Sequence, residues 1–123
     1  MILYFAADLL WASRIKATAD AIGVPARPVR SIEMLEARLA DSAPVALLVD
    51  LDKPETALAL VARLRGESAS ARDRALRVVA WGPHVSKDLL QSARDQGADE
   101  VLTRGAFDHN LEEILLALSS KAG

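Results

Sequence analysis

There is no cysteine among the 123 residues, which removes disulfides, thiolate nucleophiles and most zinc sites together. Histidine is nearly as scarce: His84 and His109 stand alone, without HxxxH or HExxH spacing, so a metal site has no framework. Aromatic residues make up only 4% of the chain, and Trp11 and Trp81 read as fillers of core or crevice rather than ligand platforms. Neither charge sign dominates. Lys and Arg total 15 against 17 Asp and Glu, a formal charge of -2, so no global field favours nucleic acid or an anionic membrane. No apolar run approaches the ~18 residues of a membrane span, and no basic n-region precedes the first strand-like segment. A cytoplasmic location is therefore expected, with neither membrane nor nucleic acid as partner.

Catalytic signatures are missing too. Ser13, Ser42 and Ser68 have no His and acid arranged near them in sequence, and there is no G-x-S-x-G elbow. No G-x-G-x-x-G follows the first strand, which excludes the dinucleotide loop. One local excess remains. Five arginines fall between Arg63 and Arg77 with only Glu67 and Asp73 against them; this reads first as a solvated loop, and second as a polyanion contact.

What is present is a core-forming chain. With 51% apolar and 26% charged residues, residues 1–123 suit a single domain. Apolar runs alternate with segments of helical period, the pattern of five βα units on a parallel sheet. The strands are expected at about Ile2–Ala7, Ala26–Arg30, Val45–Val49, Leu76–Trp81 and Glu100–Thr103. Pro28 cannot donate to a ladder, so the second strand belongs at an edge; the unbroken run from Val45 to Val49 indicates burial on both faces. The helices present inward stripes of Trp11, Ile15, Ala19 and Ile22; Ile32, Leu35 and Leu39; Ala57, Leu60, Val61 and Leu64; Leu89, Leu90 and Ala93; and Leu111, Ile114, Leu115 and Leu118. Gly23 and Gly97 end two of them. Ser31, Asp52, Ser86 and either Asp108 or Asn110 are placed to cap, and the polar stretch from Gly66 to Arg74 reads as a mobile surface loop.

Asp50 is the residue most suggestive of chemistry, because a carboxylate at the carboxyl end of a buried strand faces the crevice of an open α/β sheet. Here the residues carry a family resemblance. Asp50-Leu51-Asp52-Lys53-Pro54, the spacing from Gly23 to Asp50, and Gly97-Ala98-Asp99-Glu100 followed by Val101-Leu102-Thr103-Arg104 resemble the response-regulator receiver domain over nearly the whole chain. The resemblance implies a flavodoxin-like, doubly wound five-stranded parallel sheet of order 2-1-3-4-5 with five helices, and puts the proline-bearing second strand at the edge.

The departures from that pattern outnumber the matches. Where receivers carry two acidic residues for Mg²⁺ stand Ala6 and Ala7, and a methyl group cannot ligate a hard cation. Asp8, one position on, is the sole acid there. The switch hydroxyl falls on Gly82, the lysine on Arg104, the following proline on Gly105 and the aromatic rotamer switch on Val101. The resemblance is thus to the degenerate pseudo-receivers, with a vestigial phosphoacceptor pocket of Ala6, Ala7, Asp8, Asp50, Gly82 and Arg104 and a switch region at Trp81 and Val101. Neither cofactor nor metal is expected.

Asp50 is expected to be structural, paired with Arg104 and turn amides. The function implied is a non-enzymatic signalling domain that binds a protein partner or a second copy of itself. Receivers commonly use the fourth helix, fifth strand and fifth helix for this, here Leu90, Ala93, Val101 and Leu111. Two alternatives stand beside it: a phosphorylatable single-domain response regulator with Asp50 as acceptor, and a small-molecule binder at the carboxyl ends of strands one, three and four.

Overall fold

The computed structural model describes residues 1–120, and its organisation follows from the alternation of side chains along five strands. These are β1 (Ile2–Phe5), β2 (Ala26–Pro28), β3 (Ala46–Asp50), β4 (Arg77–Gly82) and β5 (Glu100–Thr103), all parallel in the order β2-β1-β3-β4-β5. Pro28 lies on the edge strand opposite Tyr4. Every residue of β1 and β3 is buried, as a two-sided sheet centre requires.

Successive side chains point to opposite faces, so the strands divide into two cores. Leu3, Phe5, Leu47, Val49, Val78 and Ala80 meet one set of helices. These are α2 (Ile32–Asp41), α3 (Pro54–Arg65) and α5 (Lys87–Gln96). Ile2, Tyr4, Ala46, Leu48, Val79 and Trp81 meet α1 (Leu9–Ala21), α6 (Arg104–His109) and α7 (Leu111–Ser120). The expected helix stripes are the ones that face the sheet. Ala57, Leu60, Val61 and Leu64 of α3 are all buried. Gly23 (φ +72°) and Gly97 (φ +111°) occupy left-handed positions after α1 and α5, which glycine adopts without the Cβ penalty.

Two short helices raise the expected five to seven. The first, α4 (Ala71–Ala75), takes up the last part of the expected Gly66–Arg74 loop, while 66–70 remain irregular; it is nucleated by a capping box in which Ser70 and Asp73 bond each other's backbone N–H. The arginines around it bond back to the fold, Arg72 and Arg74 while remaining exposed. Arg63 holds Asp73 at 2.8 Å and also Glu36; Arg65 reaches Gly97 O, Leu76 O and Asp99; Arg72 donates to the carbonyls of Leu39 and Ser42; Arg74 donates to Gly66 O and Ala69 O. Arg77 lies 3.7 Å from Asp99. Arg63 holds the carboxyls of Asp73 and Glu36 below their usual range. Their stabilisation is thus present at neutral pH and lost as pH falls through those lowered values.

The second addition is α6. Its first turn is capped by Thr103, whose hydroxyl accepts from Ala106 N, and Asn110 closes it with a side-chain bond to Ala106 O. Asp108 therefore sits inside α6, bound to Arg14, and caps nothing. Two other expected caps also differ. Ser86 occupies the N-cap of α5 without a side-chain bond, and Lys53, not Asp52, precedes α3. No helix among the described residues is long and apolar enough to cross a membrane.

Candidate functional site

Asp50 closes β3 and is 1% exposed. Each of its two carboxylate oxygens accepts one backbone N–H: Oδ2 from Ala7 N at 2.9 Å and Oδ1 from Asp52 N at 3.0 Å. Burial raises its pKa, the two amides oppose that shift in part, and the nearby Asp52 and Asp8 raise it further. A carboxyl displaced upward in this way favours the fold while protonated; its contribution is lost as pH rises through its folded-state value. Among the described residues no cationic side chain forms an ion pair with it.

Arg104 is the residue expected to do so, and the structure places it elsewhere. Its Nη2 lies 2.6 Å and 2.7 Å from the two oxygens of Asp52. The reason is local. Arg104 opens α6 instead of extending β5, and Asp52, free of any capping duty, sits in the β3–α3 loop at the surface. With side chains 43% and 36% exposed, the pair is a surface ion pair. Crossing Arg104→Met with Asp52→Ala should give a coupling of about 0.2–1 kcal/mol in thermal denaturation. The cycle of Arg104→Met with Asp50→Ala should give a coupling near zero; a large coupling there would restore the pair expected from sequence.

The remaining pocket residues gather around Asp50 without forming a cage. Ala6 and Ala7 follow β1, and Ala7 contributes only its amide. Asp8 is exposed, and its Oδ1 caps α1 by accepting from Trp11 N at 2.9 Å. No group of three or more Asp, Glu, His or Cys able to hold a metal ion occurs among the described residues. A hard divalent cation needs several oxygen ligands, and here methyl groups stand at Ala6 and Ala7 while the one acid beside them, Asp8, is exposed and turned to cap α1. This donor set does not fit magnesium.

Gly82 has a packing reason for lacking a side chain. A Cβ there would come within 3.1 Å of Leu51 Cβ and 3.5 Å of Leu90 Cδ2. It belongs to the α3–α5 face of the sheet, whereas its neighbour Trp81 lies in register with Asp50. Trp81 is fully buried, stacked on Phe107 with ring centroids 4.0 Å apart and planes 4° from parallel. Trp11 lies against both rings at 5.6 Å. The indole N–H of Trp81 has no partner among the described residues, a cost the ring packing must outweigh. Phe107 was not among the residues singled out from sequence, because its segment read as the lead-in to a last helix. The signal was there in Thr103, an N-cap residue opening a further turn.

The expected interaction face needs correction. Leu90, Ala93 and Leu111 are core residues, at 7%, 0% and 2% exposure, since α5 and α7 turn these positions toward opposite faces of the sheet; Val101 is half-buried. The large apolar side chains that do face solvent, among the described residues, are Leu9, Leu10 and Val85, with Leu116 of α7 less exposed. Leu10 and Val85 lie on a cavity of about 760 Å³ between the amino end of α1, the β4–α5 loop and the start of α6.

No protein-family model matches the chain, and no curated protein matches it at a significant level. Solved structures do. The chain is similar to a response regulator from Thermotoga maritima, at 18% identity over 97% of this chain and 96% of that one, with a TM-score of 0.75. The signal receiver domain of a response regulator from Bermanella marisrubri matches at 20% identity over 95% of each chain, TM-score 0.76. The receiver domain of a signal transduction histidine kinase from Syntrophus aciditrophicus gives 21% identity, 98% and 89% coverage, and a TM-score of 0.80. At these identities the likeness is one of fold, and the fold is that of response-regulator receiver domains.

Proposed function

We propose that residues 1–123 act as one receiver-type signalling domain that is not an enzyme and works by binding another protein or a second copy of itself, without magnesium-dependent phosphorylation of Asp50. The observation that carries this reading is the state of the Asp50 carboxylate: buried, with each oxygen on a backbone amide. Phosphoryl transfer depends on an in-line nucleophile and on cationic groups that neutralise the equatorial oxygens. Asp50 is buried, Ala6 and Ala7 offer no ligand, and Arg104 turns to Asp52 rather than to Asp50. The receiver fold supports a role in signalling, and a site without this chemistry leaves recognition as the means.

Magnesium titration tests the reading. Trp81 is the cross-strand neighbour of Asp50, so a cation entering the pocket would alter its surroundings. The expected result at millimolar Mg²⁺ is no saturable change in emission, in the native chain and in Trp11→Phe, where Trp81 is the sole reporter. A saturable change abolished by Asp50→Ala would establish metal binding and overturn the proposal.

A further inference from the structure

The cavity beside α1 is separate from the Asp50 amide cage, and its chemistry is different. Its apolar part is formed by Leu10, Trp11 and Val85, of which Leu10 is 82% and Val85 75% exposed. Trp11 is backed by Trp81 and Phe107, which fix one wall as a rigid aromatic layer. Much of the remaining lining is polar, with Arg104 and Thr103 among it. Arg104 uses only Nη2 on Asp52, leaving Nε and Nη1 without a protein acceptor among the described residues. Thr103 spends its hydroxyl oxygen on Ala106 N and keeps its O–H to donate. The one carboxylate on the cavity, Asp108, is already neutralised by Arg14. At Gly105 an added Cβ would meet nothing within 4 Å, so the cavity has open space at its polar end.

A volume of about 760 Å³ lies inside the roughly 300–1,000 Å³ range of small-molecule sites, which join apolar walls to a few convergent polar groups. The position, at the carboxyl ends of strands in a doubly wound sheet, is where such folds take ligands. We infer that this cavity binds a small planar aromatic carboxylate, with its ring against Trp11 between Leu10 and Val85 and its carboxylate on Arg104 and Thr103. The donors decide the class: the free N–H groups of Arg104 and the Thr103 hydroxyl favour an anionic oxygen, and the acids beside them, Asp52 and Asp108, are each paired with an arginine. This site lies at β4, β5 and α1, not at strands one, three and four, and it is independent of whether Asp50 can be phosphorylated.

Naphthalene-2-carboxylate is the probe, read by Trp11 emission in a Trp81→Phe background and by calorimetry on the native chain. Saturable binding is expected. Arg104→Met should weaken it at least about tenfold, the loss of a charge-assisted hydrogen bond, while leaving the affinity for the neutral naphthalene-2-carboxamide unchanged. Gly105→Leu, which fills the open end, should abolish binding of both. Leu10→Ser, at a solvent-exposed position the fold does not depend on, should weaken both. Circular dichroism melts check that each variant is folded. Absence of saturable binding to the native chain would overturn the inference, as would binding that survives Gly105→Leu and Leu10→Ser, or equal loss of acid and amide in Arg104→Met.

Discussion

Replacing Trp81 by alanine is expected to destabilise the domain by about 3–5 kcal/mol, the range for emptying a large aromatic site in a core. The side chain is fully buried, and it is the middle layer between the sheet and the ring of Phe107. Its removal loses burial, leaves a cavity, and breaks contacts with Phe107 and Trp11 that are worth about 0.5–1.5 kcal/mol beyond area in aromatic pairs. A domain of this size has only about 5–15 kcal/mol in hand, so the variant should melt many degrees lower. Trp81→Phe should retain most of the stability, because it keeps a ring against Phe107 and removes an indole N–H that has no partner among the described residues. Urea denaturation followed by circular dichroism compares the two; a Trp81→Ala midpoint equal to that of the native chain would show that the aromatic layer is not a structural unit.

Leu90→Arg should be equally damaging. From sequence alone this position looked like part of a docking face, where arginine would cut partner binding and spare the fold. The structure gives the opposite expectation. Leu90 is 7% exposed and packs within the α3–α5 core, with its Cδ2 3.5 Å from where a Cβ on Gly82 would stand. Arginine there loses the burial of leucine, a term of about 2–5 kcal/mol in leucine-to-alanine series, and adds a guanidinium that must reach water past packed neighbours. A folded Leu90→Arg protein with an unchanged urea midpoint would return this residue to the surface.

The course of the chain was legible because its signals were periodic. Runs of buried residues mark β1 and β3, Pro28 marks an edge, and the stripe of α3 is read correctly residue for residue. Gly23 and Gly97 stop their helices with the positive φ that glycine accommodates. What was not legible is what short polar segments do once long-range partners arrive. Ser70 and Asp73 make a capping box, and Arg63 comes from α3 to neutralise Asp73; nothing local announces that second contact. The same holds at the site. Asp52 and Asp50 are two residues apart, and which of them Arg104 reaches depends on β5 ending at Thr103 so that Arg104 opens a helix. The absence of acids at Ala6 and Ala7 was readable directly. The aromatic layer of Trp11, Trp81 and Phe107 was not, since its three rings come from three elements.

The central claim is that Asp50 is shut off from phosphoryl chemistry, and exposure to a small acyl phosphate with magnesium tests it most directly. Native chain and Asp50→Ala are incubated with the donor under conditions that label an active receiver run in parallel, then compared by intact-protein mass spectrometry. The account predicts no phosphoryl adduct on either chain while the active receiver is labelled. A phosphoryl adduct on the native chain that is missing from Asp50→Ala would contradict it and make Asp50 a working phosphoacceptor.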